Sequence, residues 1–170
     1  EGSRSCMIRW RDGELRPYRS LLHLVPPQPS PVFRGTRTWA TDETIDITAA
    51  GIRLRSVPRR GQGLRIPVPG AAGLILDWRQ TGEKIRPNGS PHIRSVKNLF
   101  QQAGIPPWER IRIPRIYVEQ KLVCIPGLAV DTEYAAQNSD EGYEILIEPL
   151  VLPVGNSNPE NGVVQRCGVW

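Results

Sequence analysis

The apolar positions of this chain fall in short clusters separated by turn residues. Ile8 and Trp10 flank Arg9, Asp12-Gly13 follows, and Leu15, Tyr18, Leu21, Leu22 and Leu24 come next. That order predicts a strand, a tight turn and a returning extended stretch over residues 7–25. Four prolines in the six residues 26–31 confine the chain to an extended connector and mark a boundary, with order resuming near Phe33. Farther on, Ile52 and Leu54 alternate with Arg53 and Arg55. A period of two packs one face and presents guanidinium groups on the other; a charged edge strand that deters pairing is the plainer account of the same pattern. Leu74, Ile75, Leu76 and Trp78 form a buried-strand candidate, and Lys121 to Ile125 and Tyr143 to Ile147 are two more strands, the last expected to close the core.

One segment has helical spacing. Val96, Leu99, Phe100 and Ala103 lie three and four apart, which predicts an amphipathic helix over about 94–103 with Arg94, Lys97 and Gln101 on its opposite face. Gly104 and Pro106-Pro107 stop it. Trp108 to Arg110 then start a short helical turn, and extended structure resumes beyond Pro114.

Composition supports strands over a helical bundle. Hydrophobic residues are 39%, and 17 prolines with 16 glycines make about a fifth of the 170 residues, against a usual share of roughly 12%. The expected fold is α+β: a layered, β-sandwich-like domain of short strands with one prominent helix. Cys6, Cys124 and Cys167 are odd in number and lack metal-ligand spacing, and only two histidines are present, so neither a disulfide framework nor a metal site is expected. No apolar run nears the roughly 20 residues of a membrane helix, and the first ten residues lack the apolar core of a signal peptide. A cytoplasmic protein without membrane contact is the expectation. The glycine-rich stretch from Arg59 to Ser95 lacks the residue order of a phosphate-binding P-loop.

Charge is uneven. Residues 1–65 and 79–121 each carry +6, residues 66–78 carry −1 and residues 122–170 carry −6, which gives the net +5. A basic body with an acidic tail attracts phosphate, although a solvated basic surface without a partner explains the net charge equally well. No catalytic set is visible: the acids are scattered, and Cys124 sits in an apolar strand where an inert thiol is the default.

The run Ser95-Val96-Lys97-Asn98-Leu99-Phe100-Gln101-Gln102-Ala103-Gly104-Ile105-Pro106-Pro107-Trp108-Glu109-Arg110 resembles the signature of the C-terminal domain of bacterial tRNA(Ile)-lysidine synthetases. The likeness continues through Ile116-Tyr117 and Leu122-Val123 to the stretch from Pro126 to Asp131, with Gly82 to Arg86 and Trp10 to Tyr18 similar upstream. Arg115 departs from it, standing where the family has an apolar residue. The resemblance implies a parent enzyme that adenylates the wobble cytidine of isoleucine tRNA with ATP and attaches lysine, through an SGGxDS loop in an N-terminal catalytic domain. No such loop occurs in this sequence. ATP and lysine would therefore belong to that partner domain, and this chain is expected to be inactive alone and to need no cofactor. Kinship with a domain of the phenylalanyl-tRNA synthetase beta subunit is implied for the fold.

What the resemblance implies for this chain is a grip on the body of isoleucine tRNA. Arg94 and Lys97 are the first candidates, then Lys84, Arg86, Arg110 and Arg112, which flank the helix in sequence. Arg110 equally suits a structural bond to Glu109 or to a helix-terminal carbonyl. Trp108 suits a base stack or, more commonly, a core plug. The expected organisation is a hairpin and connector over 1–30 belonging to the preceding domain, the synthetase C-terminal domain over 31–150, and an acidic or irregular tail over 151–170. The rival expectation is a protein-interaction or structural relic domain with no RNA role.

Overall fold

β1 (Ile8–Trp10) pairs with β2 (Gly13–Tyr18), and β3 (Leu21–Val25) returns to complete an antiparallel three-stranded sheet. Gly13 is needed there for space, since a Cβ would lie 3.1 Å from both the Trp10 indole and the Val25 carbonyl oxygen. The computed structural model describes residues 7–11, 13–25, 35–40, 43–66, 73–78 and 82–150. The proline connector 26–31 and the tail 151–170 lie outside the described residues.

The body follows as β4 (Thr36–Trp39), β5 (Ile45–Ile47), β6 (Ile52–Arg60), β7 (Leu74–Asp77), β8 (Lys84–Ile85), β9 (Arg94–Ser95), α1 (Val96–Gln102), α2 (Pro107–Arg110), β10 (Arg115–Val118), β11 (Lys121–Ile125), β12 (Ala129–Val130) and β13 (Glu141–Pro149). A five-stranded sheet in the order β12-β11-β10-β7-β4 faces a three-stranded sheet in the order β13-β6-β5. Trp39, Leu74, Leu76, Ile116 and Val123 from the first meet Ile45, Ile52, Leu54 and Ile145 from the second in one buried cluster. A second cluster joins Val96, Leu99 and Phe100 of α1 to Ile85, Leu122 and Ile125. The body is mostly β-sheet with short helices, as its proline and glycine content requires.

Three expectations are corrected. The helix is Val96–Gln102 and not 94–103, because Ser95 is extended and its Oγ accepts from the Asn98 N–H at 3.2 Å, a side-chain cap that starts the helix one residue later. Arg94 consequently belongs to a strand, and Ala103 at the far end is exposed, so the packed face is Val96, Leu99 and Phe100. β6 is not an edge strand: β5 and β13 flank it, and Arg53, Arg55 and Arg59 pair with carboxylates on those neighbours. Nor do the acids before residue 151 form a separate acidic end, because β13 folds back along the whole length of β6.

A buried ion pair ties the five-stranded sheet to the start of the β8–β9 ribbon near α1. Arg115 follows Pro114 into β10 and is buried, with its Nε 3.5 Å from Glu83 Oε2 and its guanidinium 5.8 Å from the Phe100 ring centre. Burial, with Glu83 as the next cause, pushes the neighbouring Tyr117 phenol up to about 12. The Glu83 carbonyl accepts from the Val96 N–H at 3.0 Å, so the same residue fixes the entry to the helix.

Candidate nucleic-acid interface

Two short strands and one helix build the basic corner. β8 and β9 pair with Lys84 opposite Ser95 and Ile85 opposite Arg94, and Ser95 then caps α1. Ile85 is buried under the helix, which anchors the ribbon. This geometry sets Lys84 beside the start of α1 and Lys97 in its first turn, both exposed. Neither lysine makes an ion pair or hydrogen bond among the described residues. Arg94, half-buried, runs along the helix and donates from Nη1 to the Gln102 amide oxygen at 2.8 Å. An amide oxygen orients the guanidinium without cancelling its charge. A cation in the first turn also opposes the helix dipole, so Lys97 is not there to stabilise the helix.

The other three candidates are placed elsewhere. Arg86 leaves β8 toward the turn Thr132–Tyr134, where its guanidinium is 3.6 Å from Glu133 Oε1 and its backbone is held by Asp131 and Thr132. Arg110 donates from Nε to the Ile105 carbonyl at 2.7 Å and from Nη2 to the Tyr18 hydroxyl at 3.2 Å, joining the β1–β3 sheet to the body. Its structural partner is thus a carbonyl just beyond α1, not Glu109. Arg112 spans to the turn after β5, donating to the Ala50 carbonyl at 2.6 Å and the Gly51 carbonyl at 3.1 Å. Gly51 must be glycine for this, since its φ is +62° and a Cβ would meet the Arg112 guanidinium at 2.7 Å.

Trp108 is half-buried and not a core plug. It sits edge-on to Tyr18 and His23 at 5.9 and 5.6 Å with the Arg16 guanidinium 5.2 Å away, filling the junction between the β1–β3 sheet and α2. Sequence reasoning missed Arg19, whose guanidinium donates to the Gln101 carbonyl and so brings a cation from the β2–β3 turn to the end of α1. With 82 residues between the two, no local pattern announces the contact.

Three arginines of β6 are neutralised. Arg53 pairs with Asp46 at 2.6 Å, Arg55 with Glu148 at 2.6 Å and Arg59 with Glu144 at 2.9 Å. The hydrogen bond from Arg53 holds the Asp46 carboxyl below its usual range. Cys124 is wholly buried and burial pushes its thiol up to about 12, as suits an inert side chain. No group of His, Cys, Asp and Glu suited to a metal ion occurs among the described residues. Among them, too, no helix is long and apolar enough to cross a membrane.

Residues 74–147 match the family described as TilS substrate C-terminal domain and belong to it. The relatives are proteins named tRNA(Ile)-lysidine synthase. That of Alkalilimnicola ehrlichii is 32% identical over 146 residues, covering 85% of this chain and 32% of that protein. That of Methylococcus capsulatus is 29% identical over 126 residues, covering 74% and 28%. The chain therefore spans about a third of the length of these relatives. A solved structure titled "Crystal structure of TILS C-terminal domain" superposes with a TM-score of 0.52 at 19% identity, covering 67% of this chain and 94% of that one, which supports the fold.

Proposed function

We propose that this chain is the tRNA-gripping part of a tRNA(Ile)-lysidine synthase, acting in the cytoplasm to position isoleucine tRNA while another portion of the enzyme attaches lysine to the wobble cytidine with ATP. The observation that carries the reading is the cationic corner of Lys84, Arg94 and Lys97, which has no carboxylate partner among the described residues, whereas Arg53, Arg55 and Arg59 along β6 each pair with one. An A-form stem is recognised largely through phosphates, 2′-hydroxyls and shape, which calls for cations on a rigid element more than for a base-reading pocket. The ribbon and helix supply that element, since Ile85, Val96, Leu99 and Phe100 root both in the core. Arg86, Arg110 and Arg112 have structural partners first; Arg110 and Arg112 keep their charge because carbonyls cancel none of it. Their part in binding is through the field and not through dedicated contacts.

The test is filter binding of isoleucine tRNA to the chain and to its Lys84→Glu, Lys97→Glu variant. Each lost phosphate contact forfeits about tenfold in affinity near 0.1 M salt, so a loss on the order of a hundredfold is expected with unchanged folding. Unaltered affinity in the variant would take this corner off the RNA surface.

A further inference from the structure

The β1–β3 sheet is turned inside out relative to the body. Cross-strand partners in an antiparallel pair share a face, and the register places Ile8 beside Leu15 and Leu24, and Pro17 beside Leu22, with Trp10 continuing the same side. That face carries no polar side chain. It points to solvent: Leu22 is 70% exposed, Ile8 56%, Leu24 50% and Trp10 43%. The opposite face holds Glu14, Arg16, Tyr18 and His23, and it is the one packed on the body, through Trp108, Arg110 and Ile105. Arg9 and Arg16 both pair with Glu14, holding its carboxyl below the usual range, so even the charged face is occupied. A monomer rarely leaves so continuous an apolar face uncovered.

We propose that this outward face docks the portion of a tRNA(Ile)-lysidine synthase that the chain does not span. The assignment rests on the reading given under Proposed function, and its occupant is argued from length and chemistry. Relatives at 32% and 29% identity are about three times as long as the matched stretch, so a large body of polypeptide accompanies domains of this kind. The face offers no charge for RNA phosphates to meet, whereas the basic corner does, so the two surfaces suit two different partners. Tyr18 and Arg19 link the docking sheet to the far end of α1, through the Ile105 and Gln101 carbonyls. Docking there would set the position of the tRNA-gripping helix relative to the catalytic site.

The test titrates the full 170-residue chain, by calorimetry, into the Alkalilimnicola ehrlichii enzyme trimmed of its matching 146 residues, with sedimentation of the chain alone. The wild-type chain is expected to be monomeric and to bind, with a blue shift of Trp10 emission. Leu22→Glu with Leu24→Glu should weaken binding about a hundredfold or more while leaving the thermal melt and the tRNA affinity unchanged, because both side chains are at least half exposed. Lys84→Glu with Lys97→Glu should leave this binding intact, which separates the docking proposal from the RNA reading. The proposal is overturned if the wild-type chain does not bind a trimmed enzyme shown to be folded by circular dichroism, if the leucine variant binds equally well, or if the chain alone forms a dimer that the leucine variant abolishes.

Discussion

The β6–β13 ribbon and the β8–β9–α1 corner are both rich in cations, yet they use them oppositely. Along the ribbon Arg53 pairs with Asp46 directly across from it, and Arg55 and Arg59 reach diagonally to Glu148 and Glu144, so these surface charges are compensated. At the corner Lys84 and Lys97 face solvent without a partner, and Arg94 is held by an amide. Net charge therefore locates no interface. The lack of a carboxylate partner is what distinguishes the corner from the ribbon, and it depends on tertiary pairing rather than on composition.

The largest expected effect separates the scaffold of the corner from its charges. Glu83→Ala leaves Arg115 buried without its ion-pair partner, and two of that guanidinium's nitrogens already lack a hydrogen-bond partner. A loss of about 3–5 kcal/mol in urea unfolding is expected; a loss below about 1 kcal/mol would show that the pair does not hold the ribbon. Next, Arg55→Ala with Arg59→Ala should cost no more than about 1 kcal/mol per exposed pair and leave tRNA affinity within about twofold. A large loss of binding there would erase the contrast between the two regions. The smallest effect is in pH dependence. Burial raises the Glu109 carboxyl above its ordinary 4.5, so the folded state holds its proton more tightly than the unfolded chain. Stability should then be fully present below that ordinary value and fall as pH rises through the raised one. Glu109→Gln should flatten that part of the stability profile, measured by thermal melts across pH 4 to 7.

Much of the fold was legible because local chemistry agreed with it. Lys121 to Ile125 is β11 as the apolar run indicated, the helical turn expected at Trp108 to Arg110 lies in α2, and Tyr143 to Ile147 lies inside β13. The start of α1 was misjudged because Arg94 fits a helical face in sequence, while the two-residue ribbon that captures it has no periodicity to detect. The fates of the arginines were hidden for another reason. Arg55 meets Glu148 across 93 residues and Arg112 meets Ala50 across 62, contacts that only tertiary packing creates. Lys97 was legible as a surface cation because its neighbours Val96 and Leu99 take the buried positions. Lys84 owes its place beside Ser95 to pairing alone.

The most direct measurement is the salt dependence of isoleucine tRNA binding by the chain, by Lys84→Gln, Lys97→Gln and by Arg55→Gln, Arg59→Gln. A corner that engages about three phosphates through Lys84, Arg94 and Lys97 gives a log–log slope near −3, and each neutralised contact should flatten it by about 0.9. The lysine variant is predicted to lose about two units of slope and the ribbon variant none. Equal slopes in all three proteins, or flattening confined to the ribbon variant, would contradict the account.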